Sequence, residues 1–113
     1  MIRFVLTTFP DPDAADRAAR LLVSEHLAAC ATIIPEAKSV YRWKGAIEES
    51  HEAAVLIKTA AASFPALEKR LKEIHPYETP EVASFEAADV SKAYADWVLQ
   101  SCTAGNPSAS PAR

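Results

Sequence analysis

Apolar and polar positions alternate along this chain in blocks of two periods. Ile2 to Thr8 is apolar and β-branched, the pattern of a buried strand. Phe9-Pro10-Asp11-Pro12-Asp13 ends it, because proline cannot donate to a strand ladder. Asp13 is placed to cap a helix whose apolar positions are Ala15, Ala19, Leu22, Val23 and Leu27. Cys30 to Trp43 predicts a long strand with a bulge or unpaired edge position near Pro35. Lys44-Gly45 is the turn, and Ile47 to Thr59 returns with Ala53, Val55 and Ile57 on one face. Ser63 caps a second helix with Pro65 in its first turn and Phe64, Leu67, Leu71 and Ile74 as its stripe. His75-Pro76-Tyr77-Glu78-Thr79-Pro80 is irregular, and Glu81 to Glu86 is a short strand. Asp89 caps a third helix running to Cys102, with Val90, Ala93, Trp97 and Ser101 on its packed side. Residues 103–113 are small, polar and proline-containing, and predict a disordered tail after a domain of residues 1–102.

The order β-α-β-β-α-β plus a terminal helix predicts an α+β, ferredoxin-like fold with an antiparallel sheet and a long β2–β3 hairpin. Each hairpin strand of about 13 residues would extend roughly 43 Å. A domain of this size has a radius of gyration of about 13–14 Å. The hairpin must overhang its own core, and pairing with another copy resolves the overhang.

Composition narrows the function. The chain has 113 residues, half of them hydrophobic, and a net charge of −3 with both signs dispersed. One domain is expected, without the basic stripe that nucleic acid requires or the apolar run that spans a membrane. Met1-Ile2-Arg3-Phe4 leads directly into a strand rather than a signal peptide, so the cytoplasm is the expected location. The two cysteines, Cys30 and Cys102, fit no zinc-ligand spacing. With two glycines, no phosphate loop and no nucleophile beside an identifiable base, the sequence argues against an enzyme.

Three segments together are similar to the CutA divalent-cation tolerance family: Leu27 to Pro35, Ser39 to Glu49, and Lys58-Thr59 followed by His75-Pro76-Tyr77-Glu78-Thr79-Pro80-Glu81-Val82. The resemblance implies a homotrimer related in build to PII signalling proteins, and a role in tolerance of copper or another divalent cation. Some members carry a cysteine where Thr7 stands and a second histidine where Ile74 stands. The soft or borderline ligands remaining are Cys30 and His75, whose thiolate and imidazole suit Cu(I) and Cu(II). With Cys30 opening the second strand and His75 preceding the fourth, the two are expected at the same end of the sheet but on opposite edges. Strand spacing alone would separate them by about 14 Å, so a shared metal requires two subunits. Lys58, Tyr77 and Glu78 form a candidate ligand cleft for a small anion, and Tyr41, Trp43 and Trp97 are candidate trimer contacts. A PII-like anion sensor and a trimeric scaffold without metal chemistry stand as alternatives.

Overall fold

The computed structural model describes residues 1–102. Four strands and three α-helices follow in the order β1 (Ile2–Phe9), α1 (Pro12–Ser24), β2 (Cys30–Trp43), β3 (Ala46–Ala60), α2 (Phe64–Ile74), β4 (Ala83–Glu86) and α3 (Lys92–Ser101). A short 3-10 turn, Ala61–Ser63, leads into α2. The sheet is antiparallel with order β2-β3-β1-β4, the ferredoxin-like arrangement expected from the sequence. The tail expected from Thr103 onward lies outside the described residues.

Period-two alternation sorts β1 and β3 into two faces. Val5 and Phe9 on β1 meet Val55, Ile57 and Ala53 on β3, and Leu22 of α1 and Leu67 and Leu71 of α2 close this main core. The other face carries Leu6, Leu56 and, across β2, Thr32 and Ile34. A second cluster, built on Ile2, Ala60, Val98 and Cys102, seats α3 at the end of the sheet where β1 begins. Above it the second face has no covering helix, and Ile34 and Phe85 stand 47% and 48% exposed.

The hairpin extends well past the helices. Cys30–Ile34 pairs with Ala54–Lys58 over the core, then the register shifts between Ile34 and Ala37, as Pro35 predicted. Ala37–Trp43 and Ala46–Glu52 continue as a two-stranded arm, seven residues or about 23 Å long. Lys44 and Gly45 both have positive φ, at 50° and 83°, which fits the twist of a two-residue hairpin loop. The long molecular axis reaches 48 Å.

Several local expectations are corrected. The N-cap of α1 is Asp11, not Asp13: its side chain accepts from the Ala14 amide, because Pro12 fits the first helical turn and lets the helix start earlier. Leu27 falls beyond the end of α1 and Val23 is exposed, while Ala18 joins the buried stripe. Ser63 has helical backbone and donates its hydroxyl to the Cys102 carbonyl instead of capping α2. In α3 the buried residue is Val98, with Tyr94 and Ala95 beside it; Ala93 is exposed, and the N-cap position is Ser91.

Candidate functional site

Strand direction places the candidate residues at two separate ends of the sheet. At the end where β1 begins, Cys30 pairs with Lys58. The Lys58 ammonium lies 3.8 Å from the Cys30 sulfur and donates to the Thr32 hydroxyl. All three side chains are on the uncovered face, and Cys30 is partly exposed. Lys58 has no carboxylate partner among the described residues.

At the opposite end, where β1 finishes, the loop after α2 folds back on the sheet. His75 is buried, stacked on Phe9 with ring centroids 4.4 Å apart. Its Nδ1 accepts from the Tyr77 amide at 3.1 Å, and its Nε2 donates to the Thr8 carbonyl at 2.8 Å. The backbone partners thus fix the Nε2–H tautomer and occupy both ring nitrogens. The Tyr77 hydroxyl donates to Glu52 at 2.8 Å, tying the loop to the base of the hairpin arm. Burial and the acidic partner push the Tyr77 hydroxyl well above its usual range.

This arrangement corrects the expectation that Cys30 and His75 share an end of the sheet. Lys58, beside Cys30, pairs with Phe4, whereas His75 bonds Thr8, four residues further along β1. That adds about 13 Å along the strand to the separation across the sheet. The reason is the path of the helices: α1 returns the chain to the start of β1, and α2 carries it back to the far end. The same geometry divides the candidate cleft. Lys58 joins Cys30, Tyr77 joins His75, and Glu78 is exposed on the loop without meeting Lys58.

Glu52 is the residue of this region that the sequence does not single out, since it is one of several charged residues on the hairpin, with Arg42, Lys44, Glu48 and Glu49. It is partly buried. Burial raises its pKa, but hydrogen bonds from Ser39, Tyr77, Thr8 and Ser50 outweigh that and hold it below its usual value. Burial likewise lowers His75 below its usual value, against the opposing pull of the Thr8 carbonyl and the Glu52 charge. Both shifts act in one direction on stability. Each group favours its deprotonated form in the fold, so its contribution is complete above the unfolded pKa and is lost as pH falls. The decline is expected to begin near pH 6.5 with His75 and to deepen below pH 4.5 with Glu52. Thermal melts from pH 7.5 to 4 should show the midpoint falling, by about 4–8 °C for each kcal/mol lost. The low-pH part of the fall should be shallower in Glu52→Gln, and a pH-independent midpoint in the native sequence would contradict the network.

Of the candidate contact residues, Tyr41 and Trp43 are 44% and 56% exposed on the arm, together with Val40 and Ile47. Trp97 is partly buried against Tyr94 of its own helix, ring centroids 5.6 Å apart. The described residues gather no group of three or more His, Cys, Asp or Glu side chains able to hold a metal ion within one chain. No described helix is long and apolar enough to cross a membrane.

The family model described as CutA1 divalent ion tolerance protein matches residues 3–101. The divalent-cation tolerance protein CutA of Thermus thermophilus is 40% identical over 100 residues, 88% of this chain and 97% of that protein. The Pyrococcus horikoshii protein of the same name is 36% identical over 96 residues, covering 85% and 93%. The solved T. thermophilus structure superposes with a TM-score of 0.87 over 89% of this chain and 98% of that one, at 40% identity. A structure from Archaeoglobus fulgidus, described as a periplasmic divalent cation tolerance protein, gives 0.87 at 31% identity over 90% and 99%.

Proposed function

Because the chain belongs to the CutA1 divalent ion tolerance protein family, we propose that it serves divalent-cation tolerance in the cytoplasm as a homotrimer, with copper as its cation and no catalytic step of its own. The uncovered apolar sheet face, continuous with the exposed arm, is the observation that carries the assembly. Leu6, Leu56, Ile34 and Phe85 lie over strands whose other face is already filled by the core. A second copy removes this surface from water, and neighbouring chains support an arm that a two-stranded ribbon alone holds poorly. Trp43→Ala should weaken assembly by about 2 kcal/mol or more, as expected of a central interface aromatic, when measured as a shift in the dissociation midpoint.

Cys30 is the metal ligand in this reading. Its thiolate suits Cu(I), and its place on the face between copies lets other chains complete the coordination. His75 is the second candidate, but metal binding there must displace the Tyr77 amide or the Thr8 carbonyl from the ring. Titration with Cu(I) under reducing conditions should therefore lose affinity about tenfold or more in Cys30→Ala and weaken at acid pH, where thiols stay protonated. Unchanged binding in Cys30→Ala would reject this ligand assignment.

The Lys58 ammonium, which has no carboxylate partner among the described residues, favours a second reading, a small anion held between subunits. Tyr77 and Glu78 would then have to come from a neighbouring chain, since they stand at the far end of their own sheet. Equilibrium dialysis against phosphorylated metabolites, with Lys58→Met as control, separates this from the copper reading.

A further inference from the structure

On the helix side of the sheet, away from the uncovered face, a groove of about 360 Å³ opens between α1 and the turn that follows α2. Its apolar lining includes Phe9, Ala14, Ala18, Leu21 and Ile74, and it sits between Pro10 and Pro76. Phe9 is held by the core beneath and by the stacked His75. The prolines restrict both flanking turns, so the groove is formed before any ligand arrives. Small residues on α1 create the space: alanines stand where larger side chains would fill it.

Two charged side chains of opposite sign, Asp11 and Arg17, also line the groove. Asp11 uses one carboxylate oxygen to cap α1 through the Ala14 amide at 2.8 Å, which fixes the side chain and leaves its second oxygen available. Arg17 has no carboxylate partner among the described residues, whereas Arg20 on the same helix is paired with Asp16 at 2.8 Å. Arg17 and Asp11 stand on the same groove, about one and a half helical turns apart. Even so, the two do not pair with each other. An apolar floor flanked by a fixed carboxylate and an unpaired guanidinium is complementary to a small molecule that carries both charges and an apolar side chain.

We propose that this groove binds a free apolar α-amino acid of about leucine size, its ammonium on Asp11, its carboxylate on Arg17 and its side chain on the partly exposed Leu21 and Ile74. The site belongs to a single chain and does not depend on the assembly or metal readings above.

The test is an amide NMR titration of the full chain with L-leucine up to about 10 mM, a range suited to a shallow site. Saturable shifts are expected at Ala14 to Leu21 and at Ile74 and Tyr77. Isoamylamine and 4-methylpentanoate, which each lack one charge, should bind about tenfold more weakly. Arg17→Gln and Asp11→Asn should each lower affinity about tenfold; asparagine keeps a capping oxygen, so α1 stays formed. Absence of saturable shifts, equal binding of either analogue, or unchanged affinity in both variants would overturn the proposal.

Discussion

Phe9→Ala is expected to destabilise the protein by about 3–5 kcal/mol, the cost of deleting a fully buried aromatic and leaving part of its volume empty. Phe9 is 1% exposed and belongs to the core formed by Val5, Ala53, Leu67 and Leu71. Its ring also supports His75, 4.4 Å away in a stacked arrangement. Truncation therefore removes core contacts and loosens the imidazole that organises the loop through Tyr77 and Thr8. Urea unfolding of the variant should show the midpoint fall with little change in slope. A loss below about 1 kcal/mol would mean that the neighbouring side chains collapse into the space.

Leu56→Glu should disrupt assembly while leaving the chain folded. Leu56 lies between Leu6 and Thr32 on the uncovered face, opposite in direction to the main core. In an isolated chain the new carboxylate stands on a partly exposed face and reaches water at modest cost. Between copies it is a buried, unpaired charge, which costs several kcal/mol. Far-UV circular dichroism should be retained while the sedimenting mass falls. A variant that assembles like the native sequence would place the interface elsewhere.

Much of this architecture was legible because the two hydrophobic periods are well separated in sequence. Ala53, Val55 and Ile57 gave the core face of β3, Leu67 and Leu71 that of α2, and Pro35 the irregularity in β2. Helix starts were harder, since Asp11 and Asp13 are both good caps and only the tolerance of Pro12 in the first turn decides between them. The packed side of α3 was legible in part: Val90 and Trp97 do pack against the second cluster, but Ala93 is exposed and Val98 buried, because a weakly patterned segment leaves its exact rotation to tertiary contacts. The site suffered from a different problem. Pairing Cys30 with Lys58 and His75 with Tyr77 requires tracking which way each helix returns the chain, information carried by topology rather than by local spacing. The role of Glu52 depended on Ser39, Thr8 and Tyr77 converging on it from three parts of the chain, and nothing local in sequence marks that.

Assembly through the uncovered face and the arm is the claim on which the functional account rests, and sedimentation velocity tests it most directly. Across a hundredfold range of concentration, the native protein should sediment as one species of about 37 kDa, three times the 12.2 kDa chain. A single 12.2 kDa species at every concentration would contradict it.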